Sequence, residues 1–247
     1  TYGRVKATDV YRGKPYSFTT ADKSGQKVSF AMLSDIHENN DLQKSLIAQV
    51  DMGATDFVVF NGDMANRLNS EEHMFAAYLQ TASKLYAAET PIVYARGNHE
   101  TRGEYSHRFM DYFPSPTGLP YYAFRNGPAF FIILDGGEDK TDNDIEYYGT
   151  AMYDDYRSKQ AEWLKGVVES DDFRTAPVKI AVMHVPPVRA TWHGAIDIRE
   201  KFLPYLTGAG IDIMQSGHLH KHISIPPGQG GCDFPILINS NKHVPLT

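Results

Sequence analysis

The sequence predicts an α/β fold whose strands deliver metal-competent side chains at their C-terminal ends. Two observations carry that expectation. Short apolar runs, Val28 to Leu33, Phe57 to Phe60, Pro91 to Tyr94, Val178 to Met183 and Ile211 to Met214, recur down the chain, and runs of this length read as strands. Each is followed by a turn rich in oxygen or imidazole donors: Asp35-Ile36-His37, Gly62-Asp63, Gly97-Asn98-His99-Glu100, His184, and Gly217-His218-Leu219-His220. Open α/β sheets bind ligands at that edge.

The elements follow in order. Residues 1–27 mix Tyr, Thr, Lys and Gly without helical periodicity, and Tyr16 to Thr20 alternates as a half-buried strand does. This stretch reads as a β lead-in before a domain spanning 28–247. Asp41 to Val50 carries Leu42, Leu46, Ile47 and Val50 on one side and predicts a helix. Ser70 then caps a second helix whose Phe75, Tyr78, Leu79, Ala82, Leu85 and Tyr86 form an apolar stripe, read as core packing. Thr101 to Pro120 fits a long loop over the sheet edge. Tyr121 to Phe124 and Ala129 to Leu134, joined through Asn126-Gly127-Pro128, predict a hairpin.

Gly136 to Asp155 is acidic, rich in tyrosine and too polar for core, which predicts a lid or a disordered segment whose Tyr147, Tyr148 and Tyr153 cover a substrate or crowd the surface. A helix is expected over Ser158 to Val168. Pro186-Pro187 argues against a helix straight after His184, so the next is expected at Ile198 to Leu206, with Pro204 ending its regular part. Strands at His222 to Ile225 and Pro235 to Ile238 complete a second layer.

With 247 residues, 42% of them hydrophobic, the chain has ample material for a core in one large or two small domains. Its apolar runs fall far short of the roughly 20 residues a membrane helix needs. The start, Thr1-Tyr2-Gly3, shows no charged-then-apolar pattern of a signal peptide. A net charge of −6 argues against long nucleic acid as a partner. Cys232 is the only cysteine, so disulfides within the chain and thiolate zinc clusters are excluded. Any metal must sit among His, Asp, Asn and Glu.

Such a donor set suits a pair of ions. Two ions about 3.5–4 Å apart generate hydroxide and clamp both oxygens of an in-line displacement. Asp63 is the candidate for the shared carboxylate, because Gly62 lets the backbone turn tightly at that strand end. Asp35 and His37 approach one ion together, with His220 completing that set, and Asn98, His184 and His218 face the other. The ligand chemistry favours zinc, manganese or iron.

The same blocks, DIH at 35–37, GD at 62–63, GNHE at 97–100, a lone His at 184 and GHLH at 217–220, resemble in order the motifs of the calcineurin-like metallophosphoesterase family. The likeness runs from about Val28 to Ile238. It implies a four-layer α/β-β/α sandwich of two mixed sheets flanked by helices, with a dinuclear site at one edge. It further implies Asp35, His37, Asp63 and His220 on one metal, and Asp63, Asn98, His184 and His218 on the second. His99 is in that pattern no ligand but the general acid for the leaving alkoxide, or a phosphate-positioning group.

Within the family the chain looks most like the purple acid phosphatase branch. The lead-in resembles the end of that branch's N-terminal β domain, and Ser158 to Leu164 resembles the helix after its Leu-Asp strand end, here Leu134-Asp135. His37 replaces a glycine of that branch's first block, and Asn66 stands where its metal-binding tyrosine would be. A colourless protein without tyrosinate-bound iron is therefore expected.

The resemblance implies a metal-dependent phosphoric ester hydrolase using a metal-bound hydroxide on a small phosphorylated substrate. The alternatives are a phosphodiesterase acting on a small diester, and a non-catalytic metal-binding module on the same fold. Arg67 and Arg102 flank metal blocks and are candidates to clamp phosphate, Arg102 equally a solvated residue. His193 is a candidate substrate-binding imidazole on the loop after His184. Glu100 is expected to hydrogen-bond within its turn, His222 to lie exposed or behind the ligands, and His73, His107 and His243 to stand outside the site. Similarity to secreted phosphatases implies an extracytoplasmic, periplasmic or secreted, location. No signal of oligomeric state is legible.

Overall fold

Strands β1 (Phe30–Leu33), β2 (Phe57–Asn61) and β3 (Ile92–Ala95) form a parallel three-stranded sheet in that order. A computed structural model describes residues 13 and 15–241. The second sheet has six strands in the order β4 (Tyr122–Asn126), β5 (Ala129–Leu134), β6 (Val178–Met183), β7 (Ile213–Ser216), β9 (Ile236–Ile238) and β8 (Ile223–Ile225). Both the β4–β5 and β8–β9 pairings are antiparallel, so this sheet is mixed. The smaller one is parallel throughout its described strands.

β2 reads Phe-Val-Val-Phe-Asn and β5 Ala-Phe-Phe-Ile-Ile-Leu, every residue buried. Continuous apolar strands of this kind require cover on both faces. Between the sheets, Met32, Phe57 and Val59 meet Phe131, Ile133 and Val182. On the outer face of the small sheet, Val58 and Phe60 pack against Leu46, Tyr78 and Tyr86 of the flanking helices. On the large sheet, Ile132 and Leu134 pack with Leu164, Ile198 and Phe202. The layers are therefore helix, sheet, sheet and helix, as expected.

The first helix, Asn40–Ile47, starts where the Asn39 side chain accepts from the Leu42 N–H at 3.0 Å. Ser70 caps the second by accepting from His73 N–H. That helical run alternates winding: Glu71–Met74 and Gln80–Ala82 are α-helical, Phe75–Leu79 and Ser83–Ala87 are π-helical. Its buried residues are Met74, Ala77, Tyr78, Ala82 and Tyr86, while Phe75 and Leu85 are exposed. The sequence stripe assumed 3.6 residues per turn; wider π turns rotate Phe75 and Leu85 outward.

Other boundaries also differ from expectation. Tyr16–Thr20 belongs to no strand, and Tyr16 and Phe18 are exposed; residues 1–12 and 14 of the lead-in lie outside the described residues. The helix expected from Ser158 begins at Tyr153 and runs to Glu169. The one expected from Ile198 begins at His193, with Pro204 inside it. Gly136 to Asp139 is buried rather than a surface lid, whereas Ile145, Tyr148 and Met152 further along that segment are exposed. Among the described residues no helix is long and apolar enough to cross a membrane.

Candidate metal centre

The C-terminal ends of β1, β2, β3, β6 and β7 converge. Ser34 Oγ lies 2.9 Å from the Asn61 carbonyl and contacts Asp35 Oδ2, tying the end of β1 to that of β2. Asp35 N–H donates to the Gly62 carbonyl and His37 N–H to that of Asp63. His218 N–H reaches across from the other sheet to both oxygens of Asp35, each at 3.1 Å. Five site residues hold left-handed backbone: Asp35 (φ 56), His37 (47), Asp63 (55), His218 (70) and His220 (52). This conformation costs non-glycine residues on the order of 1 kcal/mol each. Its concentration here marks where the chain accepts strain in order to aim side chains.

Two glycines make the approach possible. A Cβ on Gly217 would collide with Ser34 Oγ and Asp35 Oδ2, and one on Gly97 with Asp63 Oδ1. Behind them the fully buried Glu100 orders the turn. Its Oε2 accepts from Asp63 N–H (2.9 Å) and Gly97 N–H (3.0 Å), and its Oε1 from Met64 N–H (2.7 Å) and Tyr94 Oη (3.0 Å). Glu100 therefore bonds within its turn only at Gly97 and chiefly ties that turn to the one carrying Asp63.

The donors come together in three overlapping groups: Asp35, His37 and His220; His37, Asp63 and His99; Asp63, His184 and His218. Asn98 joins the last, with Oδ1 3.2 Å from His218 Nδ1. All seven expected ligands are thus assembled. Whether they suit cations is decided by which atoms carry protons. His184 Nδ1 lies 2.7 Å from the Asn61 carbonyl, a contact that only a protonated Nδ1 makes. Its Nε2, completely buried, has no hydrogen-bond partner and stands 3.0 Å from Asp63 Oδ2. His37 Nδ1 faces Asn66 Oδ1 at 3.0 Å, which leaves its Nε2 facing His220 Nε2 at 3.1 Å.

At His184 a bare Nε2 thus faces a carboxylate oxygen, which is repulsive unless positive charge lies between. Ligands bonded at about 2.0–2.1 Å to a common ion stand roughly 2.9–3.4 Å apart, and these separations match. Zinc, manganese or iron fits the donor set.

Electrostatics agree. Burial opposes ionisation of Asp63, yet the imidazoles of His184 and His99 hold its carboxyl below the usual carboxylate range. Burial likewise opposes a charge on His184, but Asp63 and Asp35 outweigh it and push the imidazole up to about 10. His218 is pushed down to about 4 by its burial and by the neighbouring His184 charge. A proton taken up at His184 is what a cation would displace.

His99 projects its Nε2 to 3.9 Å from Asp63 Oδ2, while its Nδ1 is held 2.8 Å from the Asn66 carbonyl. Arg67 is exposed and lines a cleft of about 1230 Å³ with Arg102, Glu138, Tyr147 and Tyr153. Among the described residues it has no ion-pair or hydrogen-bond partner. Arg102, partly buried on the wall of that cleft, grips Glu138 through Nε (2.6 Å) and Nη2 (2.9 Å). His193 is not brought to the donors. As the first residue of the helix His193–Leu206, it places Nε2 2.8 Å from Asp154 Oδ1.

Of the remaining histidines, His222 is exposed, His73 approaches Glu38 (3.4 Å) and His107 faces the Glu104 carbonyl (2.9 Å). His243 lies outside the described residues. Two residues escaped the sequence reading of the centre. Asn66 supports both His37 and His99, a role visible only once the fold closes. Asp139 is buried with Oδ2 3.7 Å from His218 Nε2; its acidic segment looked like surface.

The chain is 26% identical over 230 residues to Purple acid phosphatase 1 of Ipomoea batatas, covering 85% of this chain and 46% of that protein. It is 22% identical over 227 residues to Probable purple acid phosphatase 20 of Arabidopsis thaliana, covering 84% and 48%. The chain therefore spans about half the length of the curated relatives it matches. Among solved structures, a purple acid phosphatase from yellow lupin (Lupinus luteus) seeds superposes with a TM-score of 0.63 at 14% identity, covering 90% of this chain and 45% of that one. The phosphopantetheinyl hydrolase of Mycobacterium tuberculosis gives 0.53 at 14%, covering 87% and 90%. GAP50 of Plasmodium, described as the anchor in the inner membrane complex, gives 0.51 at 16%, covering 86% and 71%. These likenesses establish the fold. The family model for calcineurin-like phosphoesterase matches residues 28–222, most of the chain and every donor from Asp35 to His220, and by that match the chain belongs to the calcineurin-like phosphoesterase family.

Proposed function

We propose that the chain is a metal-dependent phosphoric ester hydrolase with a dinuclear centre of zinc, manganese or iron and a small phosphorylated substrate. One observation carries the reading: Asp63 Oδ2 stands 3.0 Å from His184 Nε2 and 3.8 Å from His37 Nε2, between two sets of donors. Asp35, His37 and His220 complete one set, and Asn98, His184 and His218 the other. Ions bound there supply a nucleophile from water near neutral pH and positive charge for the phosphoryl oxygens.

The chain's own residues supply the rest. With Nδ1 of His99 donating to the Asn66 carbonyl, a second proton on that ring resides on Nε2, the atom that faces Asp63 and the centre. Protonated His99 then delivers that proton to the departing alcohol oxygen. In this reading Arg67, exposed on the wall of the cleft it shares with Thr101 and Arg102, binds a phosphate oxygen. His193 has no part in this proposal, since Asp154 already holds it. An extracytoplasmic location, periplasmic or secreted, belongs to the same reading and rests on the likeness to purple acid phosphatases alone; cell fractionation tests it.

The deciding experiment is elemental analysis of the purified protein coupled to chromogenic monoester and diester substrates in the presence of zinc, manganese or iron. Two ions per chain with monoester turnover is the expected result. Preference for the diester would move the assignment to a phosphodiesterase acting on small diesters. Two bound ions without turnover on any substrate would leave a metal-binding module on the same fold.

A further inference from the structure

We propose that Asp139 is a positioning residue for the centre: its buried carboxylate faces Nε2 of His218 and by its charge holds the ring proton on that nitrogen, leaving Nδ1 as the donor atom. The inference rests on the two-ion reading above. Nδ1 of His218 lies 3.2 Å from Asn98 Oδ1, and Nε2 lies 3.7 Å from Asp139 Oδ2. A neutral imidazole carries one proton, so one of these faces sets acceptor against acceptor. A bare Nε2 beside a buried anion gains nothing, whereas Nε2–H beside it is attractive. The proton therefore belongs on Nε2. That leaves the Nδ1 lone pair directed with Asn98 Oδ1 toward the same place, the arrangement two ligands of one ion adopt. Metal-binding histidines commonly donate their other N–H to a carboxylate, which fixes ring orientation and tautomer.

The rest of the molecule treats Asp139 as a part to be held still. Its side chain is 9% exposed, and besides His218 its nearest charged neighbours are Lys140 Nζ at 3.5 Å and Arg102 Nη2 at 4.0 Å. Its backbone carbonyl accepts from Gly194 N–H at 2.8 Å. Gly194 is required there, because a Cβ would sit 2.5 Å from the Glu138 carbonyl and 2.9 Å from Asp139 Cα. Arg157, fully buried, donates Nη1 to the carbonyls of Gly136 (2.9 Å) and Glu138 (3.1 Å), and Arg102 grips the Glu138 side chain. A segment pinned on both sides of Asp139 delivers that carboxylate to a fixed point beside His218.

The test is Asp139→Asn in the full chain, loaded with zinc. Expected are a 10- to 100-fold weaker hold on one of the two ions in chelator competition, unchanged affinity at the other, and an unchanged melting temperature of the metal-free protein. Histidine ¹⁵N–¹H spectra of the zinc-loaded wild type should show His218 bonded through Nδ1 with a protected Nε2–H, and that protection should disappear in the variant. Asp139→Glu should restore part of the affinity. Two ions held with wild-type affinity in Asp139→Asn, or His218 bound through Nε2 in the wild type, would overturn the assignment. If instead the wild type holds fewer than two ions, it is the dinuclear reading that fails.

Discussion

The Nε2 atoms of His37 and His220 face each other across 3.1 Å although they lie 183 positions apart in the chain. Asn66 Oδ1 takes the Nδ1 proton of His37, and Asp35 Oδ1 lies 3.2 Å from His220 Nε2. His37 Nε2 therefore presents a lone pair, which either an N–H of His220 or a cation can meet. Between His184 and Asp63 the choice is narrower: with Nδ1 of His184 donating to the Asn61 carbonyl, its Nε2 and the Asp63 carboxylate repel unless a proton or a cation lies between them.

Asp63→Asn removes the one carboxylate that stands between both sets. The amide keeps an oxygen but loses the charge that balances two cations. We expect bound metal to fall from two ions to one or fewer, with activity on a chromogenic phosphate ester down by about a thousandfold or more. Elemental analysis and turnover measured on one preparation check this. Two ions and unchanged turnover would remove Asp63 from its assigned role.

Much of this centre was legible because each apolar run stops at its ligands: β2 ends at Asn61 and Asp63 follows, and β6 ends at Met183 with His184 next. Strand ends are local, so a one-dimensional reading finds them. Asp139 depends instead on Arg157 and Gly194, which approach from helices far along the chain, and no local pattern announces a buried acid. The start of the helix at His193 was hidden for a related reason. Its N-terminus has no capping side chain, because Trp192 makes no such bond, and the preceding prolines read as a continuing loop. The exposed Phe75 and Leu85 record a different failure, a stripe drawn with the α period across π turns.

Removing the ions should expose the titration of His184. Its imidazole is opposed by burial but raised by Asp63 and Asp35 to about 10, above its unfolded value near 6.5. The stability this contributes is fully present below the unfolded value and is lost as pH rises through the folded one. Metal-free protein should therefore lose melting temperature between about pH 7 and pH 10, and metal-loaded protein should lose less, because there the cation replaces the proton. Reloading near pH 7.5 should release protons, measurable by calorimetry in buffers of different ionisation enthalpy. A metal-free melting curve insensitive to pH across that window would contradict the charge assigned to His184.

For His99→Ala the two functions of the centre should separate. The ring is not among the proposed ligands, so both ions should stay. Loss of the proton donor should slow hydrolysis by about 10²–10⁴-fold for esters of poorly acidic alcohols, and less for nitrophenol-like leaving groups that depart unassisted. Equal losses on both classes would point to positioning rather than proton donation.

Glu100→Gln tests the support beneath the ligands. Asp63 and Gly97 donate N–H groups to one oxygen of Glu100; Met64 N–H and Tyr94 Oη donate to the other. An amide keeps a single acceptor, so whichever way it turns its NH₂ meets at least one backbone N–H, and a buried donor loses its partner. Hydrogen bonds to charged groups are worth about 1.5–3 kcal/mol, and a donor left unpaired costs about as much again. We expect destabilisation of about 3 kcal/mol, seen as a melting temperature lower by roughly 6–12 °C for a domain of this size. Because the displaced N–H groups belong to Asp63 and to the Gly97 turn before Asn98, metal affinity should weaken along with stability. A variant with wild-type stability and weakened metal binding would mean that Glu100 acts on the ions rather than through the turn.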